Sequence, residues 1–190
     1  MPGLNTLQQD AINQYGALDG QSLLVVAPTG AGKTMIGELA AMRAVSGASR
    51  AVVLLPLKAL VNDKYAYMTA TYGVDITVVR ATGDNGDDVG AILSGQYDIA
   101  LLTYEKFMNL MLGYPHILRG LSVVVIDEVQ TIADPNRGPA LEFLMTLLRS
   151  GHGRSQPPQI VALSAVIGDT RGLERWLGGG FCALWSGRCP

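Results

Sequence analysis

The sequence predicts an α/β domain: a mostly parallel sheet with helices on both faces. Two observations carry this. The runs LLVV, RAVVLL, IALLT, LSVVVI and QIVALS are strand-length and almost wholly apolar, as expected of strands buried on both faces rather than half solvated. Between successive runs lie stretches with apolar residues at helical spacing, so strands and helices alternate. The chain has 190 residues, a length that suits one such domain with a sizeable core.

Taken in order, residues 4–15 place Leu4, Leu7, Ala11, Ile12 and Tyr15 at helical spacing, with Asn5 or Thr6 as N-cap. A strand from Leu23 breaks into a glycine-rich turn, and residues 35–46 continue as a helix closed by Gly47. Residues 50–55 form the next strand, stopped by Pro56, and 57–72 an amphipathic helix. Residues 74–83 read as a strand running into a turn at Gly83, and 84–93 as an Asp- and Gly-rich loop with a short helix after it. A strand ending at Thr103 precedes a helix from about Tyr104 to Leu112; residues 114–120 are a connector in which Pro115 forbids continuation. LSVVVIDEVQ is the most emphatic strand, followed by a helix over 138–150, an exposed loop over 151–158, a strand over 159–166 and a short helix over 169–178. The last ten residues, FCALWSGRCP, read as a trailing segment.

Composition excludes several classes. The net charge of −2 announces no nucleic-acid binder, so any such contact must be local to one face. Two cysteines, Cys182 and Cys189, are too few for a disulfide framework and have no zinc-ligand companions, although a single bridge between them stays open. No basic start followed by an apolar run marks a signal peptide, and no apolar stretch reaches membrane-spanning length, so a cytoplasmic protein without a membrane partner is expected. His116 and His152 lack a neighbouring nucleophile pattern, and the acidic turn at Asp84, Asp87 and Asp88 lacks calcium-loop spacing.

The chemistry concentrates in LLVVAPTGAGKT, residues 23–34. Gly30 and Gly32 let the loop Pro28–Thr29–Gly30–Ala31–Gly32 curl so that the amides after Pro28 and the following helix N-terminus face an anion. Lys33 then reaches the β- and γ-phosphates of ATP, and the Thr34 hydroxyl sits on Mg²⁺. A second carboxylate partner is expected at the carboxyl end of a parallel strand. LSVVVIDEVQ supplies Asp127 for the Mg²⁺ and Glu128 to polarise the attacking water, unless the pair is merely structural.

The ordered set APTGAGKT, LPLKAL, TGD, TYEK, DEVQ and LSAVIG resembles the motifs of superfamily 2 helicases, most closely the DExH-type branch that contains archaeal repair helicases and RNA-exosome helicases. Ala27, where the strict phosphate-loop pattern has Gly, is in keeping with that resemblance. The resemblance implies a RecA-like P-loop domain, the first of two lobes, with residues 1–190 as a single N-terminal ATP-binding lobe and the second lobe absent. It implies that Gln8 reads adenine, the alternative being a solvated helix residue. It also implies that Pro56, Leu57 and Lys58, then Thr82, Gly83, Thr103, Glu105 and Lys106, hold a nucleic-acid strand by its backbone, with Lys58 alternatively a solvated lysine. Ser164 and Ala165 match the motif that couples hydrolysis to strand movement. Gln130 stands where the family has His or Asp, and Val166 where it has Thr, which bears on coupling and not on ATP binding.

The expected function is therefore the ATP-binding lobe of an ATP-dependent DNA or RNA helicase, with the nucleic acid and a second RecA-like lobe as partners. Without that lobe's arginines, the chain is expected to bind ATP·Mg²⁺ but hydrolyse it poorly. Two alternatives remain at this stage. One is another P-loop NTPase, such as a kinase or GTPase, for which no acceptor or base-specificity motif is present. The other is a non-catalytic ATP-binding scaffold.

Overall fold

The computed structural model describes residues 3–84, 87–151, 156–165, 172–177 and 180–183. His152, Val166, Trp185 and Cys189 lie outside the described residues. Among the described residues, seven α-helices and seven strands alternate: α1 (Thr6–Asn13), β1 (Leu23–Val26), α2 (Lys33–Ser46), β2 (Arg50–Leu55), α3 (Lys58–Tyr72), β3 (Val78–Ala81), α4 (Val89–Ser94), β4 (Ile99–Thr103), α5 (Tyr104–Gly113), β5 (Leu121–Ile126), α6 (Gly138–Arg149), β6 (Gln159–Ser164), α7 (Leu173–Leu177) and β7 (Gly180–Ala183). Every strand pairing is parallel, in the order β3-β4-β2-β5-β6-β1-β7.

Alternation along each strand divides the core in two. Leu24, Val26, Val52, Leu54, Val124 and Ile126 face α5, α6 and α7. Leu23, Val25, Val53, Leu55, Val125 and Leu163 face α1, α2 and α3. A sheet buried on both sides needs apolar residues on both parities, which is why these strands read as unbroken apolar runs. Close packing extends to Gly37 of α2, where a Cβ would stand 2.7 Å from Val125 Cγ1. Among the described residues, no helix is long and apolar enough to cross a membrane.

Four sequence expectations are corrected. The segment after α7 does not simply trail away: residues 180–183 form β7, which pairs with β1 in register from Leu23↔Gly180 to Val26↔Ala183. The strand expected from Val74 begins at Val78, because the amides of Asp75 and Ile76 close a turn onto Tyr72 O at 2.9 and 3.0 Å and Val74 is left 99% exposed. The short helix α4 lies within the Asp- and Gly-rich stretch rather than beyond it, starting at Val89. The connector after α5 contains a 3₁₀ turn, Pro115–Leu118, that starts at proline and buries Ile117 and Leu118.

Candidate nucleotide site and strand groove

Ligands of parallel sheets gather at the carboxyl ends of the strands. Here that edge has two halves. β1, β6 and β5 deliver residues 27–34, 164–165 and 127–130; β2, β4 and β3 deliver residues 56–58, 103–106 and 82–84.

In the first half, Gly30 and Gly32 adopt φ of +84° and +87°, the left-handed region that glycine enters without strain. Nothing lies within 4 Å of where a Gly30 Cβ would be, so the loop opens outward there. The first amides of α2 have no intrahelical acceptor by helix geometry, and Gly32 N-caps the helix without a side chain competing for them. Lys33 is 8% exposed and lies back across its own loop, its Nζ donating to Ala27 O at 2.6 Å and Pro28 O at 3.0 Å. Thr34 is exposed beside it in the first turn.

Gln8 is not a solvated helix residue: it is 8% exposed and packed against this loop. Asn5 and Gln8 form a reciprocal capping box, each side chain accepting the other's amide at 3.0 Å. Gln8 Nε2 also donates to Gly32 O at 3.2 Å, and Asn5 Nδ2 to Ala31 O at 3.0 Å. Helix α1 is thereby clamped onto the loop. A primary amide has two N–H groups and two lone pairs, so Gln8 keeps one of each beyond these contacts.

The β5 end holds the acidic pair. Burial and the neighbouring Glu128 charge raise the Asp127 carboxyl above its ordinary range, opposed by the Glu128 amide and by Lys64 and Lys33. Asp127 Oδ1 accepts from Glu128 N at 2.9 Å. Glu128 sits at φ +54°, ψ +42°, costly for a side-chain-bearing residue, and is held there by Thr131, whose amide and hydroxyl both donate to its carbonyl at 3.0 and 2.8 Å. Gln130 donates through Nε2 to Glu128, while its Oε1 accepts from Ser164 Oγ at 3.0 Å and from Ala165 N at 3.3 Å. One amide thus joins the ends of β5 and β6.

The second half of the edge forms a groove of about 410 Å³, and all eight residues expected to hold a strand line it: Pro56, Leu57, Lys58, Thr82, Gly83, Thr103, Glu105 and Lys106. Two of these expectations need refinement. The Thr82 and Thr103 hydroxyls are buried and engaged internally, Thr82 Oγ1 with Asp84 and Asp87, and Thr103 Oγ1 with the Lys106 amide as the cap of α5. What faces outward is Leu57 at 55% exposure, Lys58 and the Gly83 backbone.

Asn109 and Arg137 complete the lining and were not expected from sequence. Arg137 has no local pattern to betray it, because its partners are Glu105 and Pro56, distant by 32 and 81 positions. Each cation lining the groove is matched by a carboxylate. Lys58 pairs with Asp84, Lys106 with Asp87 at 3.5 Å, and Arg137 with Glu105 at 2.8 Å. Asp87 is the organiser of the turn: its oxygens accept from the amides of Thr82 and Gly83, each at 2.7 Å. Burial acts to raise this carboxyl, but the Thr82 and Gly83 amides and Lys106 together leave it below the usual range.

A family model described as DEAD/DEAH box helicase matches residues 5–172. The chain belongs to that family. The DEAD/DEAH box helicases it resembles include proteins described as ATP-dependent DNA helicase Hel308. The protein from Methanocella arvoryzae is 37% identical over 184 residues, covering 93% of this chain and 24% of that protein. The Pyrococcus abyssi protein is 38% identical over 163 residues, covering 85% and 22%. The Caldivirga maquilingensis protein is 36% identical over 180 residues, covering 92% and 23%. The chain therefore spans about a quarter of the length of these relatives. Its RecA-like fold, with the glycine loop after β1 and the acidic pair after β5, is the helicase-family arrangement that the sequence motifs imply.

Proposed function

We propose that the chain is the first RecA-like lobe of an ATP-dependent DNA helicase, binding ATP·Mg²⁺ at the glycine loop and a single strand in the adjoining groove. The observation that carries this reading is the division of one sheet edge into a phosphate-loop half and a groove lined by all eight expected strand contacts. The choice of DNA follows the relatives, which are described as DNA helicases.

In this reading the Gly30 and Gly32 region and the first turn of α2 cradle the phosphates. Lys33 exchanges the Ala27 and Pro28 carbonyls for the β- and γ-phosphates, and Gln8 offers its remaining N–H and lone pair to adenine. Thr34 and Asp127 are the metal-holding residues, and the Asp127 carboxyl, raised by burial and by the Glu128 charge, is the kind of group a nearby cation would stabilise. Bound there, Mg²⁺ supplies charge neutralisation for the phosphates. Glu128 orients and deprotonates water, its position fixed by Thr131 and Gln130. Gln130, Ser164 and Ala165 carry the occupancy of that site to the neighbouring strand end. Pro56, Leu57, Lys58 and Gly83 contact the strand backbone. Thr82, Thr103, Glu105 and Lys106 shape the groove walls behind them.

A second lobe is the expected partner, because the relatives are about four times longer. Taken by itself, the 190-residue chain binds ATP and turns it over slowly, since removal of a trans-acting arginine costs on the order of 10³ to 10⁵ in rate. Titration of a fluorescent ATP analogue with Mg²⁺, alone and with single-stranded DNA or RNA, tests the reading. Nucleotide binding that tightens with DNA supports it. Failure to bind nucleotide, or rapid strand-independent turnover by the chain alone, overturns it.

A further inference from the structure

Arg137 joins three strand ends. Its Nη2 donates to the carbonyl of Pro56, after β2. Its Nε and Nη2 both donate to Glu105 Oε1, at 3.1 and 2.8 Å, in the first turn after β4. Its guanidinium also stands over the Tyr104 ring, 5.8 Å from the centroid, and the Tyr104 hydroxyl donates to the backbone carbonyl of Asp127, after β5. Two side chains thus span from the groove wall to the acidic turn.

The backbone that carries Arg137 is equally constrained. Asp134 Oδ1 accepts from the amides of Asn136 and Arg137 at 2.8 and 3.0 Å, and Gly138 N donates to Asp134 O at 2.8 Å. A Cβ on Gly138 would overlap the Ile132 carbonyl. The segment 128–138, which begins at the left-handed Glu128, is hydrogen-bonded along its length, Thr131 N to Glu128 O, Asp134 N to Thr131 O and Gly138 N to Asp134 O.

We propose that Arg137 is a positioning residue that couples the nucleotide site to the strand groove, setting the spacing between the Asp127–Glu128 turn and the walls formed by Pro56 and Glu105. This inference rests on the reading above and deepens it. Arg137 is already matched in charge by Glu105, so its contribution is geometric rather than that of a phosphate ligand. A planar fork reaches a carbonyl, a carboxylate and a ring face together, which the point charge of lysine does not. A shift of either site is passed to the other, and the coupling is reciprocal by thermodynamic linkage.

The test is a binding cycle on the 190-residue chain: affinity for a fluorescent ATP analogue with Mg²⁺, with and without saturating oligodeoxynucleotide. The unsubstituted chain, Arg137→Gln, Arg137→Lys, Tyr104→Phe and the Arg137→Gln/Tyr104→Phe double variant are compared. The expected tightening by DNA in the unsubstituted chain is about 5- to 150-fold, the usual range of such couplings. Arg137→Gln and Arg137→Lys bring it below about twofold while strand-free nucleotide affinity stays within about threefold, and the double variant loses no more. Tyr104→Phe keeps the ring and removes only the hydroxyl, so it carries the test if Arg137→Gln does not fold. Coupling retained in the folded variants, or single losses that multiply in the double variant, overturns the inference and leaves the proposed function standing. A salt dependence of strand binding shallower by one phosphate in Arg137→Gln also overturns it, by showing a direct phosphate contact. Absence of nucleotide binding in the unsubstituted chain overturns both readings.

Discussion

The Ser164 hydroxyl donates a 3.0 Å hydrogen bond to Gln130 Oε1, binding the end of β6 to the end of β5 across the acidic pair. The same oxygen accepts from Ala165 N, and the other end of the amide donates to Glu128. Gln130 thus reaches Glu128, Ser164 and Ala165 at once, the contacts that its proposed coupling role calls for.

Gln130→Ala removes that shared acceptor without touching the glycine loop. Thermal or denaturant unfolding is expected to show a loss of about 1 kcal/mol. Nucleotide affinity without DNA stays within a few-fold, while the tightening by DNA falls.

Lys33→Ala is expected to weaken ATP·Mg²⁺ binding by at least about tenfold, since a charge-assisted contact is worth roughly 1.5–3 kcal/mol. Isothermal titration decides it, and unaltered affinity counts against the glycine loop as the phosphate site.

Asp84→Asn frees Lys58 from its partner. Both side chains of that pair are 54% exposed, so the lost pair costs under about 1 kcal/mol. Strand affinity is expected to rise a few-fold, and the slope of log K against log salt to steepen by about 0.7, the value for one added single-strand phosphate contact. Anisotropy titrations at several salt concentrations measure both.

Asp87 predicts a pH dependence. Its carboxyl is held below the ordinary range in the folded chain, so its stabilisation is fully present above the unfolded value of about 3.9 and is lost as pH falls below it. Melting midpoints of the unsubstituted chain should drop more steeply between about pH 5 and pH 3 than those of Asp87→Asn, and parallel curves would refute the assignment.

Gly138→Ala places a methyl against the Ile132 carbonyl. A loss of about 1–3 kcal/mol is expected on overpacking grounds, read by denaturant midpoints.

Much of this molecule is legible from its residues, for identifiable reasons. Buried parallel strands need apolar residues on both parities, so β2, β4 and β6 stand out with nearly their observed bounds. The glycine loop and the acidic pair are local in sequence and easily found. β7 escapes because its four residues owe their strand conformation to β1, far away in the chain. Val74 to Thr77 deceive in the opposite direction, since a β-branched, apolar-looking stretch is turned back onto Tyr72 by its backbone. The left-handed Glu128 is held by the nearby Thr131, but no residue type there announces a positive φ, and the reach of Arg137 is a product of tertiary packing with no short-range pattern to record it.

The matched charges of the groove bear on which anions it ignores. Chloride or free phosphate meets Lys58, Lys106 and Arg137 already occupied by Asp84, Asp87 and Glu105, and a single small ion gains little by displacing one of them. On the proposed reading, a strand already seated along Pro56, Leu57 and Gly83 brings a phosphate that competes with Asp84 for Lys58, while Lys106 and Arg137 keep their carboxylates. If the groove takes a strand as proposed, the exposed Lys58–Asp84 pair is its filter for chain length, yielding to a continuous strand and not to a single small ion.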